Sequence, residues 1–394
     1  MSAVPAGRPL DVFIIAGEHS GDALAAPLMA ALAAGPNGAR FRGVGGPLMA
    51  GEGLASFFPM DDLTAIGIGE VLGKLPTILR RLKETVAAIL AAPPDVLVLV
   101  DAPDFTHRVA ARVRRRLPDL PIVKYVAPTV WVWRKGRAKA MAGPIDHVLA
   151  VLPFEPAVMH RLGGPPTSYV GHPLVTEAAA LRPDAAEAAR RTAAPPLVLV
   201  LPGSRRSELK RLGAIFGATL GAYAARQPGE FVLPTLPRLR PMVEALVATW
   251  PVPVRVVDGD AERRAAFRAA RAALAASGTV TLELALAGVP LVAAYRIPKW
   301  EEAIARVMLD VPSVILANLV LGENAVPEFL QADCRPDRLS AALAAIVAEG
   351  PQRARQTEAF ARLDTVMGVG RLTPSRRAAE IVRAVALDRL TPAS

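Results

Sequence analysis

The chain has 394 residues, a length that fits two domains with sizeable cores. Its 52% hydrophobic content excludes a disordered chain, and its single cysteine, Cys334, excludes an intrachain disulfide and argues against a structural zinc site. Lysine and arginine outnumber aspartate and glutamate by 46 to 36, so the formal net charge of +10 points to a polyanionic partner: nucleic acid, an anionic membrane surface or a phosphorylated substrate.

In chain order, Asp11–Ala16 reads as a first strand, and Gly17-Glu18-His19-Ser20-Gly21-Asp22 as a polar loop bounded by glycine. Ala23–Ala34 is helical by propensity. Arg40–Gly46 reads as a strand running into a Gly-Gly-Pro turn, and Pro76–Ala92 as an amphipathic helix. Val96–Asp101 follows, a run of Val and Leu of the kind buried on both faces of a parallel sheet. Arg108–Leu117 is a basic helix, and Ile122–Val126 and His147–Leu152 are further strands. Around 174–194 the pattern weakens in an Ala-rich stretch that ends at Pro195-Pro196, the expected crossover between domains. It then restarts with a strand at Leu197–Leu201, a turn at Pro202-Gly203-Ser204 and a helix at Glu208–Arg226. Phe231–Leu233, Val254–Val257, Ala272–Ala275 and Pro290–Ala294 read as later strands, and Arg335–Leu390 as mostly helical. This β-α alternation predicts an α/β fold of two doubly wound parallel sheets, with a ligand cleft expected between them.

No stretch approaches the roughly 18 uninterrupted apolar residues of a spanning helix. Val12–Ala16 is too short for a secretory signal and follows an aspartate. Any membrane contact is therefore expected to be peripheral. An apolar set around Ile66, Ile68, Val71, Leu72 and Leu75, mixed with Lys74, Arg80, Arg81 and Lys83, has the composition of a segment lying on an anionic surface. The same pattern suits a helix that buries its apolar face on a sheet.

Six motifs bear on the chemistry. Asp101 ends the Val-Leu run, where open parallel sheets bind ligands, and is followed by Ala102, Pro103 and Asp104. A carboxylate at that rim can take a proton, although Asp and Pro after a strand are also ordinary turn residues. The loop of Gly17, Glu18, Ser20, Gly21 and Asp22 stands where a phosphate loop would, yet it lacks Gly-x-Gly-x-x-Gly. Gly67-Ile-Gly-Glu-Val-Leu-Gly73-Lys74 lacks Walker A spacing and has Leu75 where Ser or Thr would hold magnesium. These departures argue against nicotinamide and P-loop ATP chemistry. In the second half, Ser204 and Arg205 open a helix whose backbone N–H groups and guanidiniums suit a phosphate, or simply form a capped helix. Ser277, Gly278 and Thr279 can offer donors to a diphosphate, and Glu283, one helical turn beyond, can accept ribose hydroxyls, or the turn is simply a helix cap with a surface Glu. Trp131 and Trp133 beside Arg134, Lys135 and Arg137 can stack on a sugar or on single-stranded nucleic acid, or simply be core and surface residues.

Taken together, Ala16–Asp22, Gly43–Pro47, Gly67–Gly73, Asp101–Phe105, Trp131–Arg134, Leu152-Pro-Phe-Glu155, Gly171-His-Pro173, Leu201–Arg205, Ser277–Thr279 with Glu283, and Asn318-Leu319 occur in an order that resembles the lipid A disaccharide synthase family, over about residues 11–345. The resemblance implies a GT-B glycosyltransferase with a Rossmann-like acceptor domain at 1–185, its membrane-facing segment at about 61–90, a UDP-sugar domain at 186–345, and helices at 346–394 returning to the first domain. It implies an inverting reaction in which UDP-2,3-diacylglucosamine and 2,3-diacylglucosamine 1-phosphate (lipid X) give the disaccharide 1-phosphate and UDP. No metal or cofactor is expected, nor a nucleic-acid partner. The expected location is the cytoplasm, attached peripherally to the cytoplasmic face of the inner membrane, and a homodimer is left open. Asp101 then matches the base, with Asp104 as its rival. Ser204, Arg205, Ser277, Gly278, Thr279, Glu283 and Asn318 match the donor site. The apolar segment from Ile66 to Leu79, with Ile66, Ile68, Val71, Leu72 and Leu75, matches the acyl and membrane-facing region. His19 and Lys135-Gly136 depart from the family pattern. A UDP-sugar epimerase on the same fold and a nucleic-acid-binding module are the competing readings. The first needs no acylated acceptor. The second leaves Asp101 and Glu283 without a task.

Overall fold

The computed structural model describes residues 8–63, 68–298, 302, 313–371 and 373–390. Contacts group the chain into two units, Met1–Pro173 with Arg371–Ser394, and Leu174–Gly370.

In the first unit, the apolar runs form strands β1 (Leu10–Ala16), β2 (Ala39–Val44), β3 (Val96–Val100), β4 (Ile122–Tyr125), β5 (His147–Ala150) and β6 (Thr167–Tyr169). They pair in parallel in the order β2-β1-β3-β4-β5-β6. The sheet is buried on both faces, with Val12, Ile14, Val98 and Tyr125 in one apolar cluster and Phe13, Ile15, Leu97 and Leu99 in the other. This is the two-sided burial that continuous Val and Leu runs require. The helix Pro374–Leu390 closes the unit by packing Ala378, Ala379, Val382 and Ala386 into the cluster that holds Leu28, Met29 and Leu32 of the helix His19–Ala33. Arg383 locks that contact through the carbonyl oxygens of Leu32 and Pro36.

The second unit carries β7 (Leu197–Leu201), β8 (Glu230–Thr235), β9 (Val254–Asp258), β10 (Ala272–Ala276), β11 (Leu291–Tyr295) and β12 (Glu328–Leu330). Their order, β12-β11-β10-β7-β8-β9, is that of a dinucleotide-type Rossmann sheet. Residues 174–185 and 346–370 group with this unit. Arg182 binds Asp364 at 2.6 Å, and the helix Ala185–Thr192 sends Arg191 to the carbonyl oxygens of Arg268, Phe267 and Ala287.

Several elements differ from the sequence expectation. The helix after β3 begins at Pro103 rather than Arg108, because proline at the first helical position is pre-set for the helix and gives up no needed donor. The amphipathic helix begins at Ile68, leaving Pro76 inside it. β6 and β12 have three residues each, too few for a period to show.

Candidate active site

Each sheet order reverses direction at one place, and there the loops after two neighbouring strands splay apart into a crevice. In the first sheet this switch point lies between β1 and β3, where Ala16 pairs with Val100. The next residues are Gly17 and Asp101, so topology brings together two motifs some 84 positions apart in the chain (101 minus 17).

The approach is close. A Cβ added to Gly17 would stand 2.5 Å from the Ala102 Cβ, so only glycine lets the β1 loop pass the β3 turn. Asp101 and Ala102 have φ of 49° and 42°, left-handed conformations that non-glycine residues seldom adopt. Val126, just past β4, has φ 73°, a genuine outlier for a β-branched residue. Strain of this kind persists where surrounding contacts over-determine it. Those contacts are visible here. Asp101 N–H donates to the Tyr125 carbonyl at 3.0 Å. The Asp101 carbonyl accepts from Thr106 Oγ1 at 2.9 Å and from Lys124 Nζ. The Asp101 carboxylate accepts from Ser20 Oγ at 3.2 Å.

Lys124 is an unusual neighbour. Its side chain projects from β4 into the cluster of Leu97, Leu99 and Phe105, and the residue is only 1% exposed. Burial pushes its ammonium down to about 7, against the opposing pull of Asp101 and Glu18. His107, on the helix Pro103–Arg114, is lowered to about 3 by burial and by Lys124 and Arg137.

The rest of the glycine loop divides by role. Glu18 and Ser20 are exposed at the start of the helix His19–Ala33, while Gly21 packs beneath them against Ala16 and the Val100 carbonyl. Asp22 is buried and structural: it accepts the backbone N–H groups of Gly46, Leu48 and Met49, each at 3.0 Å. Asp104 points to solvent with a side chain 79% exposed, ion-paired to Arg137 and, at 3.8 Å, to Arg134. Both arginines also lie over the Trp133 ring. Glu155 caps its own turn through the Val151 and Leu152 N–H groups, and burial raises its carboxyl to about 7.

In the second unit the switch point lies between β7 and β10, where Leu201 pairs with Ala275. A pocket of about 510 Å³ opens there, lined by Ser204, Arg205, Ser277, Gly278, Thr279 and Glu283 together with Glu208 and Arg263. Six of the seven expected donor residues are thus gathered in one pocket. The seventh, Asn318, does not line it. Its buried amide bonds Val326 N–H at 2.9 Å, the Val326 carbonyl at 3.0 Å and Glu328 at 3.1 Å, which anchors the strand β12.

The expected free N–H groups at Ser204 and Arg205 are occupied. Both donate to Glu208 Oε2, at 2.9 and 3.1 Å, so the helix Arg206–Ala224 carries its own carboxylate cap. Gly203, with φ 124°, makes room for it: a Cβ there would lie 2.4 Å from Glu208 Oε2. What faces solvent is the Arg205 guanidinium, 75% exposed. Glu283 is nearly buried and bonded to Arg263; burial raises its carboxyl, and Arg263 draws it back. The Pro202–Glu208 motif ends at Glu208, but its pattern assigns that residue no role in a pocket, since Arg-x-x-Glu is an ordinary helix start, and Arg263 lies in a plain basic helix. Ser277 Oγ donates to the Val314 carbonyl at 2.9 Å, which fixes the turn.

Of the apolar segment, Ile66 lies outside the described residues, as do the side chains of Ile68, Val71 and Leu72. Farther along the helix Ile68–Ala91, Leu82 and Ile89 are buried in the core, whereas Leu75 and Leu79 are each 39% exposed. Among the described residues no helix is long and apolar enough to cross a membrane.

The family described as Lipid-A-disaccharide synthetase matches residues 12–383, nearly the whole chain. The chain belongs to this family. It is 57% identical over 373 residues to the lipid-A-disaccharide synthase of Rhodopseudomonas palustris (strain HaA2), covering 94% of this chain and 95% of that protein. The fold is also similar to Acinetobacter baumannii MurG, with a TM-score of 0.60, 14% identity and coverage of 96% and 99% of the two chains. A UDP-GlcNAc 2-epimerase from Neisseria meningitidis, solved with UDP-GlcNAc, is similar at a TM-score of 0.59 and 12% identity, covering 97% of this chain and all of that one. The fold class is therefore the GT-B type, two Rossmann-like units in one chain. Because an epimerase matches about as well as MurG, fold alone does not choose the reaction. Family membership does, and it makes the chain a glycosyltransferase of lipid A biosynthesis.

Proposed function

We propose that the chain joins UDP-2,3-diacylglucosamine to 2,3-diacylglucosamine 1-phosphate by an inverting displacement, releasing UDP and the β(1→6) disaccharide 1-phosphate. Asp101 takes the proton from the acceptor 6-hydroxyl as that oxygen attacks the anomeric carbon. The observation that carries this role is the strained Asp101–Ala102 turn at the β1/β3 switch point, which holds the carboxylate beside Ser20. Asp104 supports the adjoining loop through Arg134 and Arg137.

The pocket at the second switch point suits UDP. Ser277, Gly278 and Thr279 offer donors to the diphosphate, and Glu283, with Arg263 fixing one oxygen, accepts from the ribose. Ser204 shapes the turn, and Arg205 carries the charge that develops on the departing diphosphate. Asn318 acts from a distance, by anchoring β12. The exposed Leu75 and Leu79, beside Arg80 and Lys83, support peripheral attachment to an anionic membrane surface at the cytoplasmic face.

The test is the purified chain with both acylated sugars. UDP release and a disaccharide 1-phosphate in the mass spectrum are expected. Asp101→Asn, which keeps the shape and removes the base, should cut turnover by about 100-fold or more. Conversion of a UDP-sugar with no acceptor present, or wild-type turnover by Asp101→Asn, would overturn the respective assignment.

A further inference from the structure

A buried lysine in the middle of an apolar sheet needs an explanation. Charged side chains are seldom buried unless paired. Among the described residues Lys124 meets no carboxylate at hydrogen-bond distance; its Nζ donates to the Asp101 carbonyl and, at 3.4 Å, to Thr106 Oγ1. An apolar residue would satisfy the sheet better, since Lys124 neighbours Leu99 on β3 and Val148 on β5. The amine's task is therefore sought in the Asp101 carbonyl and the Thr106 hydroxyl that it holds.

That carbonyl belongs to the residue with the strained backbone. Asp101 is pinned from three sides: its N–H by the Tyr125 carbonyl, and its carbonyl by Thr106 and Lys124. Thr106 is shared, because its hydroxyl is equally close to the Ala102 carbonyl at 3.0 Å. Lys124 thus holds the Asp101 peptide directly and also reaches the hydroxyl that shares it. When that peptide is held with its carbonyl turned into the sheet, the Asp101 side chain is left directed at Ser20.

We propose that Lys124 is a positioning residue for the reaction: by holding the Asp101 carbonyl from below it fixes the left-handed turn and so aims the Asp101 carboxylate. The proposal rests on the reading of Asp101 as base. Lys124 touches neither substrate and acts only through the turn.

The experiment compares Lys124→Met and Lys124→Gln in the full chain. The two replacements have the same length, and only Gln keeps a donor. Lys124→Met should lower kcat by about 10- to 100-fold, the range for a catalytic group misplaced by up to about 1 Å. KM for both sugars should stay within about twofold, since the substrates' own contacts are untouched. Lys124→Gln should recover a clear part of the lost kcat. A folded Lys124→Met enzyme with wild-type kcat, or a loss that Gln does not lessen, overturns the proposal. If Lys124→Met does not fold, Lys124→Leu takes its place: it too removes the donor to the Asp101 carbonyl, a fall in kcat at unchanged KM is expected, and wild-type kcat overturns the proposal. Asp101→Asn is measured alongside. Wild-type turnover there sinks the base assignment itself, whereas an inactive Asp101→Asn beside a fully active Lys124→Met sinks only the role of Lys124.

Discussion

Gly17→Ala tests the contact on which the first site is built. The new methyl would stand 2.5 Å from the Ala102 methyl, whereas carbon atoms in van der Waals contact sit about 3.5–4.0 Å apart. One of the two loops must retreat by about 1 Å or more. Neither has an easy way to do so, because Ala102 lies between the pinned Asp101 peptide and the helix starting at Pro103, and Gly17 leads directly into the helix starting at His19. Overpacking of this kind costs about 1–3 kcal/mol. The gain of about 0.4–1 kcal/mol from removing a glycine in the unfolded chain offsets only part of it. A shift of about 1 Å at Asp101 should also cost about 100-fold in turnover. The assay is UDP release under saturating sugars, with the thermal midpoint measured on the same preparation. The double variant Gly17→Ala/Ala102→Gly removes the opposing methyl and gives the left-handed position a residue that tolerates it, so it should regain most of the loss. A Gly17→Ala enzyme with wild-type kcat, or a double variant as slow as the single, would refute the reasoning.

Asp22→Asn should destabilise the fold by about 2–3 kcal/mol, because the new amide NH₂ must face a backbone N–H that now meets a carboxylate oxygen; an unchanged unfolding midpoint in urea would show that these three bonds matter little. Lys124 predicts a pH dependence. Its pKa is 10.5 in the unfolded chain and about 7 when folded, so between those values the unfolded chain keeps a proton that the folded chain has released. Stability therefore rises with pH across that window, by at most about 5 kcal/mol, and the gain is lost as pH falls toward 7. Urea unfolding of the wild type should show this rise relative to Lys124→Met, and parallel curves would contradict the buried, neutralised lysine.

Much of this protein is written in local patterns. The Val96–Val100 and Leu197–Leu201 runs announce strands buried on both faces, and the alternation of such runs with helical stretches implies parallel sheets. Asp101, Ser204 and Ser277 were legible as candidate site residues because each follows a strand, and ligands of such sheets gather at the strand ends. Local pattern fails where a role depends on a distant partner. Asp22 and Asp101 look alike in sequence, but one is spent on the amides of residues 46–49 and the other stands at a rim. Arg263 and Glu208 give no sign that they complete a pocket.

The sequence by itself determined the family, the two-sheet α/β class and the strands that carry the sites, because these depend on residue type, order and period. Only the tertiary structure decided which strands are neighbours at each switch point, that Gly17 must be glycine because Ala102 passes it, and that Lys124 lies beneath Asp101. These depend on strand order, and parallel strands are joined by crossovers long enough to make sequence distance a poor guide to contact.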